Sequence, residues 1–417
     1  MVTPYEPLPL FSPEVRPYRC GMLASALVMR GHELRFWTSS FDHFSRAENR
    51  SCLAEPTHGT VSVECLCGKG YSRGASFRRF LHNKSLAKDF LLKARAINSV
   101  PDIIYTQIPS LELAESVVLY AKPRNIPVVV DVRDPWPDVY TRLLPGFAKW
   151  LAPVVFSSEY ARLRRILANC AGITGVSETY LAWALAHADR PRTEADEVFP
   201  LGFPQQSVAA MPPEYYDEVR KNFGIPKDAF FAVFAGNFSS SMNLETVVAA
   251  AKILYAKHPG KIFFLLAGAG DSFARIKKLA DNTPNLLLPG LLGTAVLNDL
   301  LRSADVGLAP YSSAAIQSLP NKPFEYMAAS LPIISSLEGE LKSLIERTSI
   351  GVHYTPDDVN GLVGCILRLS SNPAELEAMS NSSQKVFASD YRQEIIYARF
   401  SAYLETVSKQ RTESVRC

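Results

Sequence analysis

Short apolar runs alternate with helix-length segments along most of the chain, and this alternation limits the possible folds more than any other feature. Most runs are rich in β-branched or aromatic residues, which is typical of strands in parallel sheets wrapped by helices. The sequence therefore predicts an α/β protein with doubly wound sheets. The predicted strands are 34–39, 61–67, 102–107, 127–132 and 171–176 in the first half, and 229–237, 261–270, 285–290, 305–311, 331–336 and 351–356 in the second.

A break in this pattern at residues 200–216, where four prolines occur without a regular period, predicts a linker between domains. The chain has 417 residues, which is more than one hydrophobic core usually serves. We therefore expect two doubly wound, Rossmann-like domains, residues 1–205 and 206–390, that face each other across a ligand-binding cleft at the carboxyl ends of their strands. The amphipathic tail, residues 391–417, has no strand after it and is expected to return to the first domain as a helix.

Composition argues against several classes of protein. The net charge of +3 is too small for a dedicated nucleic-acid binder. Seven cysteines, scattered and without a CxxC pair, indicate a reducing compartment and no structural metal site. No apolar run approaches the roughly 18 residues of a membrane span, and the first 20 residues carry five prolines where a signal peptide needs an apolar core. The sequence thus predicts a cytoplasmic protein without a nucleic-acid partner.

The stretch SLPNKPFEYMAAS places two prolines at the start of an apolar helix. Pro is tolerated in the first turn of a helix, so this helix should begin near Pro320. Its unpaired amides and the ammonium group of Lys322 favour an anion at this helix end. Glu325 shares a face with Lys322 at i, i+3 spacing, and the alternative is a surface helix that carries a solvated Lys–Glu pair. The amides expected to face the anion are those of Leu319, Asn321 and Lys322.

Three glycine-containing loops follow predicted strands of the second domain and should lie at the same edge of its sheet. Glycine between a strand and a helix lets backbone amides approach a phosphate or a base. The alternative for each loop is simple turn chemistry. The loops are Gly236-Asn237-Phe238, Gly268-Ala269-Gly270-Asp271 and Gly290-Leu291-Leu292.

The order of these segments resembles the second domain of the retaining GT-B glycosyltransferases of family 4 (group 1 type), over residues 229–405. The segments that carry the resemblance are LLAGAGD, NLLLPGLL, DVGLAPY and, as the most specific, PNKPFEYMAA. The first domain is similar to the same family through PYEPLP, RPYR, ALVMRGHEL, FWTSSFDHF and VVVDVRDPWPDVY. Across the two domains, the resemblance covers most of the chain.

This resemblance implies a GT-B fold and transfer of a sugar from a UDP-sugar donor to a glycan or lipid-linked acceptor, with retention, as in surface polysaccharide synthesis. The anion would be the donor pyrophosphate, and Lys322 would neutralise charge as the diphosphate leaves. Glu325 would accept hydrogen bonds from the ribose hydroxyls, because a carboxylate offers two acceptors to a cis-diol. Backbone groups around Gly290 would seat the base. The donor-binding residues would be Gly236, Asn237, Gly268, Gly270, Gly290, Leu291, Leu292, Ser318, Leu319 and Asn321.

Two departures from the family pattern concern the donor site. Many members carry a Glu-x7-Glu motif, and in this chain Gln317 occupies the position of the first glutamate, eight positions before Glu325. The sequence therefore does not decide whether Gln317 contacts the donor sugar. Many members also carry Arg or Lys in the loop after the first strand of this domain, where this chain has GNFSSSMN. A nucleotide-sugar epimerase of the same architecture, or a non-catalytic nucleotide-sugar-binding subunit, are therefore kept as alternatives. No Asp-x-Asp occurs, so neither metal nor other cofactor is expected.

Charged residues after predicted strands of the first domain are candidates for the acceptor side. Around DVRDPWP the alternative is a charged strand end that pairs Arg133 with a carboxylate, and a lone histidine such as His43 is more often structural. Two arginines in the loop after the first strand are placed to meet an acceptor phosphate. The candidates are Arg16, Arg19, His43, Asp131, Arg133 and Asp134.

Residues 72–97 combine seven basic side chains and one acidic side chain with several large apolar residues. Such a region is predicted to contact an anionic membrane, where a lipid-linked acceptor would be presented. The alternative is a solvated helix, because basic and apolar positions do not separate cleanly around a helical wheel. The basic residues are Arg73, Arg78, Arg79, Lys84, Lys88, Lys93 and Arg95.

Overall fold

The computed structural model divides the chain into two compact units, Met1–Pro200 with Glu394–Cys417, and Leu201–Gln393. Each unit is built around a mainly parallel β-sheet covered by helices. The residues that the structure describes are 1–6, 17–43, 46–48, 57–58, 60–72, 77–141, 150–205 and 211–414.

The sheet of the first unit has two parts, in the orders β2-β3-β1 and β4-β5-β6-β7. Val2 forms parallel bridges to Trp37 of β1 and to Thr106 of β4, so it joins the two parts. All strand pairs are parallel except β2 with β3. The strands are β1 Leu34–Ser39, β2 Thr57–His58, β3 Val61–Leu66, β4 Ile104–Ile108, β5 Val128–Val132, β6 Gly172–Gly175 and β7 Glu197–Val198.

In the described part of the sequence, one helix of the first unit precedes β1 and six more lie between its strands. Two begin with a serine whose hydroxyl accepts a backbone N–H of the first turn, Ser110 for α3 and Ser177 for α7, which satisfies an otherwise unpaired donor. The helices are α1 Arg19–Met29, α2 Phe77–Ala96, α3 Leu111–Ala121, α4 Asp138–Thr141, α5 Ala152–Val155, α6 Ser157–Leu167 and α7 Glu178–Ala188.

The second unit has a six-stranded sheet in the order β10-β9-β8-β11-β12-β13, with every pair parallel. The strand order reverses between β8 and β11, and such a switch point at the carboxyl ends of the strands is where open α/β sheets bind ligands. The strands are β8 Phe230–Ala235, β9 Ile262–Ala267, β10 Leu286–Gly290, β11 Val306–Ala309, β12 Ile333–Ser335 and β13 Gly351–His353.

The first helix of the second unit precedes its strands, the others follow them, and one last helix belongs to the first unit. This last helix, α16, stacks the ring of Phe400 on Phe199, with the ring centroids 4.1 Å apart. Glu405 of the same helix accepts hydrogen bonds from Arg30. The helices are α8 Pro213–Asn222, α9 Leu244–Lys257, α10 Phe273–Leu279, α11 Thr294–Ser303, α12 Asn321–Ala328, α13 Glu340–Thr348, α14 Val359–Ser370, α15 Pro373–Val386 and α16 Gln393–Ser414.

The predicted α/β class and parallel sheets are confirmed, and each predicted run contains a strand. The sequence missed β2 and β7, because two residues are too few to show a period. Cys65 is disulfide-bonded, which departs from the reducing compartment expected from the scattered cysteines. Within those residues, no helix is long and apolar enough to cross a membrane.

Candidate functional site

The three predicted glycine loops lie side by side at the carboxyl edge of the second sheet. The Gly236 N–H donates to Ala267 O at 2.9 Å, and the Gly268 N–H donates to Gly290 O at 2.7 Å. These bonds continue the β8-β9-β10 ladder past the strand ends. The loops therefore form one continuous backbone rim next to the switch point.

Close approaches explain why this rim contains glycine. At Gly236, where φ is +151°, a Cβ atom would lie 1.6 Å from Lys322 Nζ. At Gly268, where φ is +140°, a Cβ atom would lie 1.8 Å from Gly236 O. Both φ values are rare for residues with a side chain. The needs of a turn alone therefore do not explain these glycines, because a side chain at position 236 would occupy the place of the Lys322 ammonium group.

Lys322 reaches the end of β8 instead of extending into solvent. Its ammonium group donates to Ala235 O at 2.6 Å and lies 4.6 Å from the centroid of the Phe234 ring. Burial lowers the pKa of Lys322 to about 8, against the opposing effect of the Glu325 charge. An ammonium group has three N–H donors, so two remain for an anion at the rim. The alternative of a solvated surface pair does not describe this lysine.

The helix α12 that carries Lys322 is fixed to the sheet by a tyrosine. The fully buried Tyr326 donates its hydroxyl proton to Leu308 O at 2.8 Å, and its oxygen accepts the Ala235 N–H at 3.4 Å. Tyr326 thus ties α12 to both strands that flank the switch point. Sequence reasoning missed this residue, because a tyrosine in an apolar helix gives no signal beyond a place in the core.

The first turn of α12 begins where the sequence predicts it, next to Pro320. Pro320 is the N-cap residue, and no side chain caps the helix. Asn321 begins the helix and is exposed, as is Leu291 of the third loop at 79%, whereas Leu319 is buried. The N–H groups of Asn321 and Lys322 are among the donors that a helix end leaves without intrahelical partners.

The other predicted donor-site residues surround this turn. Glu325 is partly buried, and its charge contributes to raising the pKa of Tyr311 and of Tyr326, after the larger effect of burial. The Oε1 atom of Gln317 is buried without a hydrogen-bond partner. Ser318 donates its hydroxyl to Glu340 at 2.9 Å. A buried amide oxygen without a partner is costly unless a ligand or water satisfies it.

In the first unit, Arg19 and Asp131 form a buried ion pair. Arg19 is the first residue of α1, not part of a loop as predicted, and it donates to Asp131 from Nε at 2.7 Å and from Nη2 at 3.0 Å. Asp131 also accepts the hydroxyls of Thr174 at 2.7 Å and Tyr105 at 2.9 Å. This geometry favours a structural role for both residues over contact with an acceptor.

Of the remaining acceptor-side candidates, Arg133 lies near the Arg19–Asp131 pair. Arg133 donates to Gln107 Oε1 at 3.1 Å, a partner that neither interpretation of the sequence named, and Asp134 is exposed. His43 forms a hydrogen bond between its Nδ1 and the Tyr71 hydroxyl, and burial and nearby Arg79 lower its pKa to about 4. His43 is therefore neutral at physiological pH. Arg16 lies outside the described residues.

Sequence reasoning also missed a buried carboxylate at the start of α1. Glu6 accepts the Tyr18 N–H at 2.6 Å, and burial raises the pKa of Glu6 to about 7. It sits so close that a Cβ atom at Gly21 would lie 2.4 Å from Glu6 Oε1. A single glutamate among prolines offers no sequence signal for this contact. Across the described ranges, no three His, Cys, Asp or Glu side chains are grouped to hold a metal.

Comparison with known proteins finds a family match within the second unit. The family model described as Glycosyl transferases group 1 matches residues 216–386. Over 172 residues, the chain is 27% identical to the amylovoran biosynthesis glycosyltransferase AmsK of Erwinia amylovora, a match covering 40% of this chain and 42% of AmsK. The chain thus spans about two-fifths of the length of the curated relatives it matches.

Solved structures are similar over nearly the whole chain. HepE of Anabaena in complex with UDP has a TM-score of 0.67 and 13% identity over 92% of this chain and 96% of HepE. Sucrose-phosphate synthase from Thermosynechococcus elongatus has a TM-score of 0.69 and 15% identity over 93% and 92% of the two chains. The fold is GT-B. HepE in complex with UDP-glucose has a TM-score of 0.62 and 14% identity over 96% of each chain.

The GT-B fold predicted from the sequence is thereby confirmed. The family match and the candidate site occupy the same part of the GT-B chain, because every predicted donor-site residue from Gly236 to Glu325 lies within residues 216–386. The first unit lies outside that match.

Proposed function

We propose that this protein is a retaining glycosyltransferase of family 4 that transfers a sugar from a UDP-sugar to a glycan or lipid-linked acceptor. The observation that carries the proposal is the position of the Lys322 ammonium group, which lies beside Ala235 and Gly236 at the end of β8, next to the switch point of the second sheet. The match of residues 216–386 to the group 1 glycosyl transferases supports the reaction class. The complexes of HepE with UDP and UDP-glucose support the nucleotide.

The main task of such a site is to stabilise the leaving diphosphate. In glycosyl transfer the anomeric carbon becomes cationic while the leaving group gains negative charge. The two free donors of Lys322 and the N–H groups of Asn321 and Lys322 converge on one helix end, where the helix dipole adds to their effect. Preorganised donors of this kind need no reorganisation during reaction. The proposed step requires no resident metal, because these groups supply the positive charge.

The remaining donor contacts follow from the same geometry. Glu325 lies one helical turn after Lys322, which suits a carboxylate that accepts both ribose hydroxyls while lysine holds the diphosphate. Gly290, the partly exposed last residue of β10, and the exposed Leu291 after it are placed to seat the base. Gln317, with its unsatisfied amide oxygen, is the proposed contact of the donor sugar and replaces a carboxylate that many family members carry.

Two alternatives share the same nucleotide site. An epimerase of GT-B architecture would convert the donor without an acceptor, and a non-catalytic subunit would bind it without turnover. The replacement of a carboxylate by Gln317 and the uncharged loop Ser239–Ser241 motivate the second alternative. Product analysis with UDP-glucose, in the presence and absence of a glycan acceptor, separates transfer from epimerisation and from binding alone.

Replacing Glu325 by glutamine should weaken UDP binding by about tenfold, because the neutral side chain keeps one acceptor and loses the charge-assisted hydrogen bonds to the ribose. Isothermal titration of UDP into parent and variant measures this change. Inorganic pyrophosphate, which has no ribose, serves as the control ligand, because the affinity of the protein for it should not change. If the variant binds UDP as tightly as the parent, Glu325 is not the ribose contact.

The affinity for UDP should also depend on pH through Lys322. Only the protonated lysine attracts the diphosphate, and its pKa in the free protein is about 8. Protonated Lys322 predominates below pH 8, so affinity should be retained there and fall by up to about tenfold per unit as pH rises above 8. The variant Lys322→Met should bind more weakly and show no such decline between pH 7 and pH 9. The same decline in both proteins would assign it to another group.

A further inference from the structure

The first sheet has a switch point of its own. Val2 pairs with β1 on one side and with β4 on the other, so the strand order reverses beside it. Helix α1 is the first helix after this segment, and its first turn offers N–H groups that have no intrahelical partner. In open α/β sheets a helix end at this place commonly holds an anion such as a phosphate.

The anion position at the start of α1 is filled by a carboxylate of the chain. Glu6, four residues after Val2, accepts the Tyr18 N–H at 2.6 Å, and the N–H groups of Gly21 and Cys20 also donate to it. Gly21 leaves the space that this contact needs, because a Cβ atom there would lie 2.4 Å from Glu6 Oε1. Glu6 is only 6% exposed. Its carboxylate therefore takes the place of an external anion.

The arginines around this helix end also have partners within the chain. Arg19 is paired with Asp131 in the interior. Arg133 donates to Gln107 Oε1 at 3.1 Å, and its charge favours the ionised form of Glu6. Carboxylates of the chain thus already balance both cations. A phosphate that approached α1 would meet the negative charge of Glu6 instead of a positive site.

The groups beside Glu6 suit a hydroxyl better than a phosphate. Asn83 is fully buried next to Tyr5, and neither polar atom of its amide has a partner in hydrogen-bond geometry. A sugar hydroxyl both donates and accepts, so it can satisfy either end of the amide, whereas a phosphate dianion only accepts and leaves the amide oxygen unpaired. Arg79, a cation at the same edge, donates to the Tyr5 hydroxyl at 2.9 Å and lies 4.8 Å from the Trp136 ring.

We propose that Glu6 determines acceptor specificity, because it fills the anion position of α1 and so lets the first unit admit an uncharged sugar and exclude a phosphate. The class of acceptor rests on the proposed transfer reaction, whereas the occupation of α1 by Glu6 does not. Of the two acceptor classes in that reaction, the neutral end of a glycan fits this edge of the sheet. The phosphate of a lipid carrier does not fit it.

Glycine amides report on both anion positions in one NMR spectrum of the full chain. The spectrum is recorded at pH 8, where Glu6 is ionised, because burial raises its pKa to about 7. With isotope-labelled glycine, inorganic phosphate should leave the Gly21 signal of the parent unchanged. Saturable movement of that signal overturns the proposal. The Gly236 and Gly268 signals test the donor site alone, so the two proposals can fail separately.

Removing the carboxylate should open the position to external anions. Glu6→Ala should melt at a lower temperature than the parent, and acetate at ten times its dissociation constant should restore roughly 3–6 °C, compared with chloride at equal ionic strength. Phosphate should now move the Gly21 signal. Glu115→Ala is the control, because it removes a carboxylate that binds the side chains of Arg162 and Arg165, and acetate should act on it as chloride does.

A second variant, Glu6→Ser, keeps a small polar group at the helix end and serves if the alanine variant does not fold. If neither acetate nor phosphate binds these variants more tightly than the parent, α1 is not an anion position and the proposal is overturned.

The acceptor class is tested with UDP-glucose and two acceptors, dodecyl glucoside as a neutral glycan end and phytanyl phosphate as a lipid phosphate. The parent should have the higher kcat/KM for the glucoside. In Glu6→Ala the ratio of the two kcat/KM values should fall by about tenfold, because a charge-assisted site for the phosphate has been opened. Preference of the parent for phytanyl phosphate, or an unchanged ratio in the folded variant, contradicts the proposed role of Glu6.

Discussion

Replacement of Lys322 by alanine should lower the turnover number for sugar transfer by roughly 10²–10³-fold, which is the effect of removing one preorganised charge-stabilising donor from an active site. The physical reason is the position of the ammonium group, which is held by Ala235 O at 2.6 Å at the rim where the diphosphate would leave. The lost stabilisation applies mainly to the transition state, so the turnover number should fall more than the affinity for the donor. Steady-state kinetics with UDP-glucose and an acceptor measure both.

A surface lysine provides the matched control. Lys342 of α13 forms an i, i+4 ion pair of 3.1 Å with Glu338, which lies just before the helix, and both side chains reach solvent. The alternative interpretation would give Lys322 such a solvated pair. Lys342→Ala should leave turnover and melting temperature near the parent values. Should Lys322→Ala fold and turn over like Lys342→Ala, the proposed diphosphate site is refuted.

Replacement of Asp131 by alanine should destabilise the first unit by about 3–5 kcal/mol, because it leaves the buried guanidinium of Arg19 without its counter-charge. Burial opposes ionisation of Asp131, yet Arg19 holds its pKa below the usual value, so the carboxylate is charged across the physiological range. The hydroxyls of Thr174 and Tyr105 would also lose an acceptor. For a unit of this size the melting temperature should fall by roughly 6–20 °C.

Two further variants distinguish the loss of stability caused by an unpaired buried charge from the loss caused by shortening a side chain. Removing both partners, as Arg19→Met with Asp131→Ala, should recover part of the lost stability, because no unpaired charge then remains buried. Glu178→Ala breaks the exposed pair with Arg192 at 2.9 Å and should change the melting temperature little. If Asp131→Ala melts like the parent, while its donor and acceptor kinetics are impaired, the acceptor-side role expected from the sequence regains support.

The sequence was informative wherever a property depends on neighbours along the chain. The runs that became β8 to β13 show strand composition locally, and glycines after β8, β9 and β10 mark the loops of the rim. The start of α12 is encoded by Pro320 and the residues after it, and the helix begins at Asn321. These features are local because backbone conformation and hydrophobic periodicity depend on adjacent residues.

The partners of charged side chains were not predictable in the same way. Lys322 and Ala235 are 87 residues apart, and Arg19 and Asp131 are 112 residues apart. The sequence therefore predicted an acceptor phosphate as the partner of Arg19 and, for Arg133, either an acceptor or a carboxylate. In the structure Arg19 binds Asp131 and Arg133 binds Gln107.

The sequence by itself determined the α/β class, the strands, the glycine rim and the presence of Lys322 and Glu325 near one helix end. Only the tertiary structure decided which charges are buried in pairs, that Lys322 reaches β8 across Gly236, and which side of α2 meets solvent. The physical reason is that strand and helix formation follow from local patterns, whereas burial and hydrogen bonding of a side chain depend on distant segments that folding brings together.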